Sequence, residues 1–295
     1  MKETYSRVDK IFYVVSGIFL FLLFILVLYP MLYVLSASFS SGSAVSSGRV
    51  VLWPVDISLE GYKAVFRNRD IWRSYANTIF YVIFGTLINL TMVFTCAYPM
   101  SRPNLKGKNF IMLFFSFTMF FSGGLIPSYL LYQKIGILNT RLALLLPGAL
   151  SVYNMIIVRS FIQSNIPQEL YEAGSMDGLS QAGFFTKILL PLSKPVIAVI
   201  ALFSMVGHWN AYFNALMYIN DRALYPLQII LREILVLGNI DANMTMDPEL
   251  QQQLANMADV LKYALIVVST APILCVYPFI QKYFVKGVMI GSIKG

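Results

Sequence analysis

Charge is scarce in this chain. Only 12% of its 295 residues are Asp, Glu, Lys or Arg, while 58% are hydrophobic and the mean hydropathy is +0.69. A soluble domain carries roughly 25% charged and 45–50% apolar residues. Too little polar side chain therefore exists here to cover a water-soluble globule. The single histidine, His208, excludes a His-rich metal site and leaves a catalytic dyad few candidates. The two cysteines, Cys96 and Cys275, fall in apolar stretches, exclude a disulfide framework and read as inert core thiols. No G-x-x-x-x-G-K-S/T run occurs, so nothing in the chain cradles nucleotide phosphates. No acid lies inside the long uncharged runs, which removes the obvious relay groups of a proton-driven carrier. A polytopic membrane protein is what remains, with transport, channel and membrane-enzyme roles still to be separated.

Uncharged runs occupy residues 11–48, 74–101, 109–133, 142–158, 195–220 and 263–281. About 20 apolar residues cross a hydrocarbon layer roughly 30 Å thick. Four runs exceed that length and 263–281 nearly reaches it. The shortest extends through 159–166 if Arg159 snorkels to the interface. The expectation is an all-α integral membrane protein with six transmembrane helices and both termini on one side. With the termini inside, twelve of the 22 lysines and arginines are cytoplasmic. The short loop holding Arg102, Lys106 and Lys108, together with the basic tail, decides the orientation. The net charge of +8 then reads as positive-inside bias and contact with anionic lipid. No basic cluster is dense enough for nucleic acid.

The expected layout has a cytoplasmic amphipathic leader at 1–10, helix one at 11–38 and an extracytoplasmic loop at 39–73. A core of helices two to six follows at 74–288, containing a cytoplasmic loop at 165–194 and an extracytoplasmic loop at 221–259. A cytoplasmic tail occupies 289–295. The Ser/Gly stretch 38–48 reads as a flexible connector. Glu60 or Ser58 starts a short interfacial helix carrying Tyr62, Val65 and Phe66, and the Gly and Pro of 122–127 kink or break helix three. Helix five is expected to run unbroken through 195–220. That places Asn210 and Asn214 on one face with Phe203, Val206 and Met217, and puts Ser204, His208 and Tyr212 nearly opposite.

The 165–194 loop reads as two short helices and a bend. Asn165 caps the first with Pro167 in its first turn, Gly174 and Gly178 supply the bend, and Phe184, Phe185, Ile188 and Leu189 recur at helical spacing before Pro191 and Pro195. Such an element exposes apolar surface that needs a partner. Glu172-Ala173-Gly174, three residues, Gly178, nine residues, Ile188, one residue, then Leu190-Pro191 resembles the EAA loop of ABC importer permeases. The departure is Gly174 in place of the second Ala. Phe203, Trp209-Asn210, Phe213 and Leu216, with the ending QKYFVKGVMIGSIKG, are similar to carbohydrate-uptake permeases related to the maltose transporter's smaller permease subunit. The stretch GGLIPSYLL resembles the subgroup serving oligosaccharides from complex polysaccharides.

The resemblance implies a type I ABC importer permease fold and alternating access, with no catalytic residue, cofactor or metal on this chain. ATP and magnesium belong to two partner ATPase subunits. A second permease subunit, a homologous but different chain, and an extracytoplasmic sugar-binding protein are the further partners the resemblance implies. Coupling to the ATPase falls on Glu172, Ala173, Gly174, Asp177, Gly178, Ile188, Leu190 and Pro191. In the maltose relative the 221–259 counterpart reaches into the binding protein, and the tail counterpart inserts between ATPase subunits. Here that tail is represented by Met289, Gly291, Ile293 and Gly295; its alternative is lipid contact. The substrate-pathway candidates are Trp209, Asn210 and Asn214, then Tyr153 and Asn154 on helix four. Their amides suit sugar hydroxyls or helix–helix hydrogen bonds equally. The EAA loop alone does not name the cargo, so a non-sugar solute stays open.

Overall fold

The computed structural model describes residues 6–236, 257–276 and 278. The chain divides into two compact units, 1–71 with 231–271, and 72–230 with 272–295. Among the described residues the regular elements are all helical.

In the first unit, α1 (Arg7–Ser38) starts where Asp9 accepts a hydrogen bond from the Ser6 N–H at 3.0 Å. The described part of the expected leader is therefore continuous with helix one, because Asp9 closes the first turn ahead of the apolar run. Almost all of α1 stays exposed and apolar, as lipid-facing helices are, and only Ser36, Ala37 and Ser38 are buried. Ala37 packs with Ala44 and Val45 of α2 (Gly42–Ser46) and with Val50. The Ser/Gly stretch is thus ordered, contrary to the expected flexible connector. Serines in it and just before it bond the backbone: Ser40 Oγ accepts the Val55 N–H at 3.0 Å, and Ser36 Oγ near the end of α1 donates to the Leu52 carbonyl at 2.6 Å. Helix α3 (Glu60–Arg67) forms as expected, with Val65 buried. Gly61 permits its close approach to Val260, where a Cβ would lie 2.7 Å from the valine Cγ1.

The second unit holds most of α4 (Arg69–Ser101), then α5 (Lys108–Phe120) and α6 (Leu125–Lys134). The pair α5–α6 bends by 110° at the expected glycines, with Gly124 at φ +84°. Helix four is not continuous. It comprises α7 (Leu142–Leu145), a break at Pro147-Gly148, and α8 (Val152–Asn165). Proline removes the needed donor and Gly148 turns at φ +75°. The chain continues as α9 (Gln168–Met176), α10 (Gln181–Phe184), a π-turn at Phe185–Leu189 and α11 (Leu190–Leu192). Then follow α12 (Lys194–Asn210), α13 (Phe213–Tyr218), a 3-10 turn at Arg222–Leu224, α14 (Leu227–Val236) and α15 (Met257–Val276). The core joins Val93, Phe94 and Ala97 of α4 to Met155, Val158 and Ile162 of α8, Phe184, Leu189, and Val196 and Ile200 of α12.

By length and composition three described helices can cross a membrane: α1, α4 and α15. The count rises to five if α5–α6 and the run from α10 to α12, bent by 81°, each make one broken span.

Candidate functional site

Two sets of polar residues inside the apolar runs reach beyond their own helices. On α4, Asn77 donates to the Ala223 and Tyr225 carbonyls at 2.7 and 3.1 Å, Tyr81 donates to the Leu224 carbonyl at 2.8 Å, and Thr78 accepts the Leu227 N–H at 2.8 Å. These bonds fasten the segment after α13 onto α4 and satisfy backbone groups that lipid cannot. A second set faces a cavity of about 280 Å³, where Asn89 of α4, Ser151 and Asn154 at the start of α8, Ser204 and His208 of α12, and Asn214 of α13 converge with Tyr81 and Phe203. Asn89 Nδ2 donates to the Ala149 carbonyl at 3.1 Å, while its buried Oδ1 has no partner. Gly85 lets the His208 ring lie against α4, since a Cβ there would collide with it.

Helix five is broken, and the break rearranges the expected faces. Helix α12 ends at Asn210, Ala211 is extended at ψ 115°, and α13 restarts at Phe213. Asn214 therefore joins Ser204 and His208 instead of Asn210. Asn210 is exposed and returns its amide to the Val206 carbonyl at 3.0 Å. Trp209 is buried away from the cavity, edge-on to Tyr75 at 5.8 Å and in an apolar crevice with Val82 and Ile273. Asn154 lines the cavity, whereas Tyr153 beside it points out and is 61% exposed. Asn89 was missed by the sequence reading, although an amide mid-way along an uncharged run was signal enough.

The 165–194 loop has a packed side and a bare side. Asn165 closes α8, donating back to the Phe161 carbonyl at 3.0 Å, and Pro167 occupies the cap of α9 that Asn165 was expected to fill. Gly178 makes the bend at φ +76°. Gly174 is buried beneath Phe184, and a Cβ there would sit 3.3 Å from the ring's Cδ2. An alanine there, as in the EAA pattern, would press on that ring. Leu189 is fully buried, Ile188 and Leu190 are half-buried, and Pro191 lies exposed inside α11. Outward stand Glu172, Ala173, Asp177 and Met176, the last 88% exposed. Met176 was not among the expected residues, yet its place between Gly174 and Gly178 on the outer face marked it.

Residues 94–290 match the family described as binding-protein-dependent transport system inner membrane component. The chain belongs to that family. Protein LplC of Bacillus subtilis is 40% identical over 98% of this chain and 97% of its own length. The polygalacturonan/rhamnogalacturonan transport system permease protein YtcP of the same organism is 39% identical over 94% of this chain and 96% of its own. A crystal structure of a bacterial ABC transporter involved in the import of the acidic polysaccharide alginate contains a chain with a TM-score of 0.87 and 35% identity, covering 96% of this chain and 100% of that one. The chain is thus an ABC importer permease subunit, a transport component and not an enzyme. It is a multi-pass protein of the cytoplasmic membrane that works with a partner permease, an ATPase and a binding protein. Most of the expected 221–259 loop and the tail with Met289, Gly291, Ile293 and Gly295 lie outside the described residues.

Proposed function

We propose that this chain is one of two homologous permease subunits that carry oligosaccharides into the cell by alternating access, in a type I importer driven by two ATPase subunits. The observation that carries the mechanism is the two-sided 165–194 loop. Its inner side is locked to the protein by Gly174, Phe184 and Leu189. Its outer side leaves Met176 among the exposed Glu169, Glu172 and Asp177, with none of the described residues covering it. An uncovered apolar knob ringed by acids fits a partner groove with basic edges. Glu172, Ala173, Asp177 and Gly178 form that docking face, while Gly174, Ile188, Leu190 and Pro191 support it from behind. ATP and magnesium stay on the ATPase. Both termini face the cytoplasm, six spans are completed by counting α7–α8 as one broken crossing, and the tail at 289–295 adds a second contact with the ATPase.

The cargo reading draws support from relatives named for polysaccharide-derived sugars and for alginate, and from the cavity's chemistry. Asn89, Asn154, Asn214, Ser151 and Ser204 offer donors and acceptors beside the Phe203 and Tyr81 rings, the mixture that hydroxyl-rich pyranoses use. An extracytoplasmic sugar-binding protein delivers the cargo. Reconstitution with the partner permease, ATPase and binding protein tests the proposal: ATP-dependent uptake from a labelled oligosaccharide panel is expected. Uptake of none of them, with uptake of a non-sugar solute, overturns the cargo reading.

A further inference from the structure

We infer that Arg102 is the positioning residue that holds the 165–194 loop on the end of α4, so that loop movement reaches the cavity along one helix. The inference rests on the coupling role proposed above and adds the path by which coupling enters the membrane region. Helix α4 stops at Ser101, and its last carbonyls are taken by α8. Arg159 Nε donates to Met100 at 3.0 Å and Gln163 Nε2 to Ser101 at 3.4 Å. The stump is fixed, and from it the Arg102 guanidinium turns into a nest of rings. Its Cζ lies 3.5 Å from the centroid of Tyr171 in α9, 4.9 Å from Tyr98 in α4 and 5.1 Å from Phe184 in α10.

The rings are tied to one another as well as to the cation. Arg102 Nη2 donates to the Tyr98 hydroxyl at 3.2 Å, and that hydroxyl donates to Gln181 Oε1 at 2.8 Å. Gln181 Nε2 in turn donates to the Tyr171 hydroxyl. Arg102 Nε is buried with no hydrogen-bond partner, so the side chain is held by ring faces and one hydroxyl. Among the described residues the ion pair that occurs is Arg49–Asp56, far along the chain. A planar guanidinium can stack between rings where a compact ammonium cannot. The same α4 carries Asn89 into the cavity, 13 residues before Arg102, which is about 20 Å along a helix at 1.5 Å per residue. A pull on Tyr171 and Phe184 is therefore delivered, through the turn that holds Pro99, to the helix whose middle lines the cavity.

The test uses the intact transporter in liposomes, reading ATP hydrolysis with and without binding protein and amide exchange across residues 168–184. Arg102→Lys keeps the charge and loses the stack. It is expected to raise exchange in 168–184 roughly tenfold, the change that losing a desolvated cation–π contact brings. Basal hydrolysis stays unchanged, while the stimulation by binding protein is largely lost. Tyr171→Leu should reproduce that pattern, and Tyr171→Trp, which keeps a ring face, should not. Gly178→Pro runs alongside as a control on the coupling reading itself. If Arg102→Lys leaves stimulation whole while Gly178→Pro abolishes it, with exchange raised or not, the Arg102 inference falls and the docking role stands. If Gly178→Pro also leaves stimulation whole, the docking role falls and this inference goes with it.

Discussion

Two glycines in the 165–194 loop are there for different reasons, and substitution separates them. Gly178 sits at φ +76° in open space, so Gly178→Ala meets no neighbour and costs only the left-handed penalty of about 1–2 kcal/mol. Gly178→Pro cannot adopt that φ at all. The expected outcome is normal membrane abundance, near-normal uptake for the alanine variant, and ATP hydrolysis uncoupled from uptake for the proline variant and for Glu172→Lys. Comparing uptake with hydrolysis in vesicles checks it; full uptake by both uncoupling variants would remove the docking role. Gly174 has an ordinary backbone and a Phe184 ring against it. Gly174→Ala asks the ring to give slightly, whereas Gly174→Val overpacks the site at about 1–3 kcal/mol. A lower unfolding midpoint of the purified complex for valine but not for alanine is the expected result.

At the scale of elements, the break between α12 and α13 is decisive. It puts Asn214 in the cavity with Asn89 and Asn154 and leaves Asn210 bonded to its own helix. The two asparagines should therefore part company in transport. Losing one hydrogen bond to a neutral partner is worth about 1 kcal/mol, or roughly a fivefold change. Asn214→Ala is expected to raise the uptake KM by that factor, and Asn210→Ala to leave it near wild type. Equal effects on both would mean that the cavity is not on the cargo's path. Nothing in residues 208–214 announces this break, because no Pro or Gly stands there. The pin is tertiary: Trp209 is buried beside Tyr75, and Tyr218 is held against Tyr132 at 4.8 Å. The break before α8 differs, since Pro147-Gly148 is a turn signal in plain view.

For the whole molecule, segments outside the described residues carry two further expectations. Deleting 239–252 should abolish stimulation of ATP hydrolysis by binding protein while leaving the basal rate intact; equal loss of both rates would indicate misfolding. Removing 289–295 should weaken recovery of the ATPase in a pull-down at low and high salt alike, if the tail inserts between ATPase subunits. Unchanged recovery at both salt concentrations points instead to lipid contact through Lys282, Lys286 and Lys294.

The membrane class, the kinked third helix and the helix–Gly–helix loop were legible in residue order alone, because each depends on local composition: uncharged length, Gly and Pro punctuation, and the EAA-type spacing. The ordered Ser stretch was not, since Ser40, read as flexible, found a backbone partner only once Val55 came within reach. Nor was the company each polar residue keeps. In spans that are apolar on every side, hydropathy gives no preferred face, so the meeting of Asn89, Asn154 and Asn214, and of Arg102 with three rings, was decided by packing between segments distant in the chain.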